Sequence, residues 1–453
     1  MTWYWRSLPL QQRTGAAVFD QLFRRHHPIA TLLESPFPSY LEQPELARYS
    51  ICAGAPMVRS GKSQLWTPAV GQILPLLRSL LTKSKPQTNP DNLPFTGGWL
   101  GWLGYDLAWE IEDLPRLKPD TLPFPVAYWY EPDTLAIADH LQQILWLAAA
   151  TVAELDRLEQ QLAVPVITTN QTTEFSNFAL LTSQPHYQAA VKKALKYIHA
   201  GDIFQANLSL RFQVSTAQDP WIIYQRLSQI NPSPFASYWQ TPWGIMISCS
   251  PERLVQLHGN QAQTRPIAGT RPRGLTPALD VQLAQELIST TKERAEHIML
   301  VDLERNDLGR VCQWGSVTVD ELLTIERYSH VMHLVSNIKG TLSADYDAID
   351  LIRAVSPGGT ITGCPKVRCL EIIEELEPVR RNLFYGSCGY INYNGNLDLN
   401  ILIRTLLWEN GIVWGQVGAG IVADSDPQQE WRESLFKAKA QLAALGIQNL
   451  DSI

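Results

Sequence analysis

Cysteine, net positive charge and long apolar runs are all scarce in this chain. Six cysteines stand among 453 residues, at Cys52, Cys249, Cys312, Cys364, Cys369 and Cys388. No two are spaced C-x-x-C, which argues against a zinc knuckle or a disulfide framework and for reduced thiols in a cytosol. The formal charge is −7 and no basic stripe is present, so nucleic acid is not expected as a partner. An anionic ligand would therefore have to be drawn locally, by a few Arg and Lys, by helix ends or by a bound cation. The longest apolar run, Ile144–Ala150, falls far short of the ~20 residues that cross a bilayer. Met1–Arg6 lacks the apolar core of a secretory leader. A soluble, cytoplasmic protein with no membrane partner is the expectation. The P-loop pattern G-x-x-x-x-G-K-[ST] and the dinucleotide pattern G-x-G-x-x-G are also missing.

What is present is ample material for a core, since 45% of residues are hydrophobic. The length suggests about three domains' worth of chain, or fewer large ones. Residues 1–165 read as mixed strands and turns rich in tryptophan. Thr31–Ser35 and Ala47–Gly54 look like two strands joined by a loop, and residues 84–92 are a surface loop by composition. Phe95–Tyr105 carries glycines at 97, 98, 101 and 104, which imply close backbone approach in a buried strand. Val152–Leu162 reads as a helix, and residues 164–174 as a linker without helical periodicity.

The second part opens with a helix capped near Ser183, with Pro185 in its first turn and Gly201 at its end. An alternating strand follows to Phe212, with others at 244–249, 386–393, 401–407 and 412–416. Helices are expected at about 277–305 and 427–445. The pattern predicts an α+β fold with antiparallel β-sheets flanked by helices, in two regions, 1–165 and 175–448.

Several stretches could carry chemistry. Ser356–Arg368 combines three glycines and two threonines with Pro365, then an apolar helical spacing at Val367, Leu370, Ile373 and Leu376. Such a turn offers N–H groups, hydroxyls and a helix N-terminus to an anion. Gly418 and Gly420 would let backbone amides approach a ligand closely. In the last helix Asp426 is the cap and Pro427 the first residue, and Glu433 and Lys437 are spaced for a solvated ion pair. The charge-dense helix 289–307 carries further carboxylates. Two carboxylates from different helices, with ligand oxygens and water, are one way to hold Mg2+.

The chain order Gly201–Ser209, Ser250–Arg253, Arg265–Gly274, Arg294–His297, Asp302–Asp307, the Ser356–Arg368 loop and Ile403–Thr405 resembles the chorismate-utilising enzymes. Residues 1–165 resemble the regulatory half of the large components of anthranilate synthase and aminodeoxychorismate synthase. The resemblance implies chorismate as substrate, Mg2+ at Glu296 and Glu433, and a catalytic set of Glu252, His333, Thr270 and Thr360. Glu252 is the implied acid for the departing C4 hydroxyl. Tyr385, Arg404, Gly359, Gly418, Gly420 and Lys437 are the implied substrate-binding set, which displaces the simple ion-pair reading of Glu433. Leu33, Glu34, Ser35, Pro232 and Phe235 are implied to form a tryptophan site, with tryptophan as a regulatory effector or a structural ligand. None of the six cysteines sits in the nucleophile elbow of a glutaminase, so ammonia is expected from a separate glutamine amidotransferase subunit.

Two positions bear on the product. Isochorismate and salicylate synthases carry a water-activating lysine where this chain has Gln205. Most aminodeoxychorismate synthases carry a lysine nucleophile where it has Ala268, as anthranilate synthases do. With no amine at 268, direct attack of ammonia at C2 to give anthranilate and pyruvate is the simpler route. Asn207, Gly358–Gly359 and Glu374–Pro378 are more like aminodeoxychorismate synthase, which is the alternative. An inactive tryptophan- or subunit-binding homologue is a further one.

Overall fold

The fold is described from a computed structural model, and the described residues are 3–35, 47–83, 90, 93–164, 175–328 and 331–447. Among them two large antiparallel sheets, of twelve and ten strands, carry the architecture. The larger runs from Tyr4–Pro9 through Ile144–Ala149, Thr134–Asp139, Tyr49–Ala53 and Ala30–Glu34 to Phe235–Thr241. It continues through Gly244–Ser250, Thr405–Glu409, Ile412–Ile421 and Gln205–Thr216 to Phe175–Leu180. The smaller sheet sets Gly98–Leu103, Ala127–Tyr130 and Leu65–Trp66 beside Ser387–Asn392 and the strands that lead to Ile267–Pro272. Strands from both sides of residues 165–174 share both sheets. The expected boundary therefore separates stretches of sequence, not layers, and the linker expected at 164–174 lies outside the described residues except for Val164.

The sheets meet through large aromatics. Trp102 of the smaller sheet and Trp239 of the larger are fully buried, edge to face at 5.8 Å between centroids. Such a pair adds ~0.5–1.5 kcal/mol beyond its area burial. Gly98–Leu103 is buried along its whole length. A Cβ on Gly101 would fall 2.2 Å from the Tyr128 carbonyl oxygen and 2.4 Å from the Trp129 ring. That glycine serves packing.

The helix signals were good where caps were explicit. Val152–Leu162, Gln184–His199 and Pro427–Ala444 form under Thr151, Ser183 and Asp426, each accepting from a first-turn amide. Two expectations need correction. The single helix over 277–305 is two, Pro277–Ser289 and Thr291–Gly309, broken at Thr290, whose ψ is 111° and whose hydroxyl bonds the Glu286 carbonyl oxygen. A run of hydroxyl side chains competes there with the helical backbone. The strand expected over 401–407 is regular only at Thr405–Glu409, because Arg404 adopts φ 52°. Helices Ile73–Lys83, Pro220–Ile230 and Ala348–Val355 carried weaker signals and were not anticipated.

Because a Cβ at Gly101 would overlap the Tyr128 carbonyl oxygen and the Trp129 ring, Gly101→Ala should lower the free energy of unfolding by about 1–3 kcal/mol. Urea denaturation checks it; an unchanged midpoint would contradict the packing described.

Candidate active site

The floor of the site is the strand Gln205–Thr216 paired with Ile412–Ile421, which sets Asn207 opposite Gly420 and Ser209 opposite Gly418. The two glycines leave room that neighbouring side chains use. A Cβ at Gly418 would fall 2.9 Å from the Tyr385 hydroxyl and 3.0 Å from Asn207 Oδ1. One at Gly420 would fall 2.5 Å from Gln205 Nε2. Asn207 Nδ2 donates to the Thr360 carbonyl oxygen at 3.4 Å, which ties the glycine/threonine turn to this floor.

That turn is not built as the spacing suggested. Gly359–Ile361 is a single 3-10 turn, Gly363–Cys364 then pairs with Gln205–Ala206, and only after it does the helix Lys366–Leu376 begin. Pro365 is its cap residue and not its first helical residue. The turn and the helix N-terminus are separate features, so the case for anion binding rests on side chains brought in from elsewhere.

Glu252 follows the strand Gly244–Ser250 and is 4% exposed. Burial pushes its carboxyl up to about 7, tempered by the nearby Thr360 hydroxyl and the Ile267 amide. Thr360 stands close enough to polarise the carboxyl, yet neither its Oγ1 nor Glu252 Oε1 has a partner in hydrogen-bond geometry. His333 and Thr270 face each other across paired strands, with His333 Nδ1 3.0 Å from Thr270 Oγ1. Burial, then the charge of Arg404, pushes the His333 imidazole down to about 4, against the Gly269 carbonyl. At neutral pH this ring is uncharged and can orient, but not neutralise, an anion.

Arg404 keeps part of its surface and lines a narrow cavity of about 30 Å3 with Pro232, Thr270 and His333. Burial lowers the pKa of its guanidinium. Among the described residues no carboxylate pairs with it; it donates to Asn231 Oδ1 at 3.4 Å. The Tyr385 hydroxyl, Asn207 Oδ1 and Gln205 Oε1 are likewise buried and without a hydrogen-bond partner. Tyr385 and Arg404 both hold left-handed backbone, at φ 66° and 52°, a strain of order 1–3 kcal/mol each that functional sites tend to carry. Buried polar atoms without a partner in the chain are the kind of group that a polar, anionic molecule can satisfy.

The remaining residues of the expected set are placed as follows. Lys437 donates to the Gly418 carbonyl oxygen at 3.2 Å and pairs with the exposed Glu433 at 2.8 Å. The ion pair favoured by spacing is thus formed, beside the glycine floor. Glu296 lies on the same stripe of its helix as Leu303 and Asp307. Leu303 packs where a Cβ on Gly359 would sit, at 2.4 Å, and Asp307 pairs with Lys366 at 2.6 Å. Leu303 on that stripe therefore packs on the glycine/threonine turn. Among the described residues no three His, Cys, Asp or Glu converge, so a cation held here would take further oxygens from a ligand and water.

Leu33, Glu34, Ser35 and Phe235 line a second cavity, of about 890 Å3. Pro232 does not; it lines the narrow cavity beside Arg404. The Glu34 carboxylate accepts from the Ala16 amide at 3.0 Å and the Tyr224 hydroxyl at 2.5 Å, and burial raises its pKa. Sequence reasoning missed Arg381, which is buried behind Tyr385. Its Glu-Leu-Glu-Pro-Val-Arg-Arg surroundings read as solvated charge, and no local pattern distinguishes it.

Comparison with known proteins gives the family. The family described as chorismate binding enzyme matches residues 39–443. An anthranilate synthase component I-like protein of Synechocystis sp. is 61% identical, over 98% of this chain and 92% of its own. Aminodeoxychorismate synthase component 1 of Bacillus subtilis is 42% identical, over 97% and 96%. Crystalline anthranilate synthase component I from Streptococcus pneumoniae superposes with a TM-score of 0.78 at 31% identity, covering 87% of this chain and 92% of that one. The chain belongs to the chorismate binding enzyme family.

The raised Glu252 pKa has a consequence for stability. A folded-state pKa of about 7 against an ordinary value of 4.5 gives stability that is complete below pH ~4.5 and lost as pH rises through ~7. Glu252→Gln removes that loss. Its stability relative to the parent should be higher at pH 8 than at pH 5, by about 1–3 kcal/mol. Urea midpoints at the two pH values measure it, and an equal difference at both would contradict a buried, proton-holding carboxyl.

Proposed function

We propose that this chain aminates chorismate, a ring dianion bearing an enolpyruvyl ether, and releases anthranilate and pyruvate. The observation that carries the reading is that, among the described residues, Arg404 has no carboxylate partner and the buried Tyr385 hydroxyl and Glu252 Oε1 have no hydrogen-bond partner. Arg404, Tyr385 and Lys437, with the backbone at Gly418 and Gly420, bind the carboxylates; Thr360 and Gly359 line the ring. Glu252, whose raised pKa of about 7 keeps part of it protonated near neutral pH, donates to the C4 hydroxyl as ammonia attacks C2, and water departs. Loss of the C2 proton and of pyruvate then aromatises the ring. Neutral His333, oriented by Thr270, donates or accepts a hydrogen bond without adding charge.

Gln205 cannot serve as a general base, and its amide near Gly420 suits a nucleophile that needs no activation. Ammonia meets that requirement better than water. Glu296 and Glu433 are hard oxygen donors from two helices that border the glycine cradle, and they would hold Mg2+. When bound, the ion neutralises a substrate carboxylate. In this reading Lys437 exchanges its Glu433 partner for substrate. Ammonia comes from a glutamine amidotransferase subunit, and tryptophan occupies the larger cavity at Leu33–Ser35 and Phe235 as effector. Residues 1–165 supply Leu33, Glu34 and Ser35 of that effector region, residues 175–448 the catalytic one, and the whole works in the cytoplasm.

A second reading has a specific support: the aminodeoxychorismate synthase relative spans 97% of this chain, and Asn207 fits it. In that case the amine enters at C4 and the enolpyruvyl group stays. Ala268, which brings no amine to the site, keeps anthranilate first.

Incubating the purified chain with chorismate, Mg2+ and ammonium should yield fluorescent anthranilate. A persisting enolpyruvyl amine by mass would establish the second reading, and no turnover would reject both. Glu252→Gln should lower kcat by about 10²–10⁴-fold. Glu433→Gln should abolish the dependence of the rate on Mg2+; undiminished, Mg2+-dependent turnover would remove Glu433 from the site.

A further inference from the structure

Behind the substrate-facing side chains lies a buried cation to which the reaction gives no part. Arg381 is 2% exposed, in the segment after the helix Lys366–Leu376. Its guanidinium lies between two aromatic rings, 4.6 Å from the centroid of Tyr105 and 4.6 Å from that of Tyr385. Its edge is spent on fixed acceptors. Nη1 donates to the Ile361 carbonyl oxygen at 2.8 Å and Nη2 to that of Asn207 at 2.7 Å. Nε and Nη2 form a fork on the Glu377 carboxylate at 3.0 and 2.6 Å. Glu377 Oε1 accepts in turn from the Ser209 amide at 2.8 Å and hydroxyl at 2.7 Å.

We propose that Arg381 is the positioning residue of the active site, fixing the Tyr385 ring, the Thr360 turn and the Asn207 strand in one mutual geometry. The inference rests on the function proposed above. Each contact lands next to a group assigned to substrate: Ile361 follows Thr360, Asn207 hangs over the glycine floor, and Ser209 opposes Gly418. Tyr385 is stacked on the guanidinium while its hydroxyl stays unpartnered. A buried ion pair adds little net stability over an apolar pair of the same shape, whereas its planar fork imposes direction. An ammonium has no such plane and cannot hold two carbonyls, a carboxylate and two ring faces at once.

Arg381→Lys keeps the charge opposite Glu377 and removes the fork. Folded by circular dichroism, it should show a KM for chorismate at least ~10-fold above the parent and a smaller fall in kcat. Arg24→Lys, at a remote ion pair with Asp20, should leave KM unchanged and reports what loss of a paired guanidinium does by itself. Tyr105→Leu removes one face of the sandwich without touching the substrate and should raise KM in the same direction. It decides the matter should Arg381→Lys fail to fold. A folded Arg381→Lys or, in its absence, Tyr105→Leu with the parent's KM overturns the positioning role while leaving the proposed function intact. A parent chain that does not consume chorismate overturns both.

Discussion

Polar groups withdrawn from water and left without protein partners are the constraint around which this molecule is arranged. The Arg404 guanidinium, the Tyr385 hydroxyl, Glu252 Oε1, Thr360 Oγ1 and the amides of Gln205 and Asn207 meet few of their hydrogen-bonding needs within the chain. Each such group costs about 1–3 kcal/mol unless something else satisfies it. The strained backbone at Tyr385 and Arg404 adds to that cost. A fold retains such an assembly only where the rest of the structure over-determines it.

The two sheets supply that determination. Fully buried tryptophans lock them face to face, and strands from early and late in the chain interleave in both. The strand carrying Asn207 and that carrying Gly418 and Gly420 form a long antiparallel pair, a stiff platform on which glycines open space for ligand. Behind it Arg381, Glu377, Ser209, Gln416 and Arg211 form a connected buried network. In front of it the Tyr385 hydroxyl, Asn207 Oδ1, Gln205 Oε1 and Glu252 Oε1 have no hydrogen-bond partner among the described residues. Satisfied polarity thus backs unsatisfied polarity, and the first holds the second in place.

Helices announced themselves in the sequence through their caps, since Ser183 and Asp426 act through amides a few residues away. The Ser289–Thr291 break was missed because charge density masked the competition of hydroxyls with the helix backbone. The Arg404 kink was missed for a related reason: the alternation of 401–407 reads as strand, and the departure serves the site and not the sheet. The resemblance named most of the site, but its internal logic was hidden. Nothing local says that Glu252 is buried against Thr360, that Lys437 donates to the Gly418 carbonyl oxygen, or that Pro232 lies with Arg404 instead of with Leu33 and Phe235. Those are contacts between residues far apart in the chain, and only the closed fold brings them together. Arg381 is the extreme case, a buried cation written in a stretch that looks solvated.

The central claim is that the unpaired groups around Arg404 form a receptor for a small dianion. Calorimetric titration of chorismate, with Mg2+ and without ammonia, into the parent chain and into Arg404→Gln tests it most directly. Truncating one side of a desolvated charge pair removes about 2–5 kcal/mol, so the variant should bind at least ~30-fold more weakly while melting near the parent's temperature. Equal affinity in the two proteins would contradict the account.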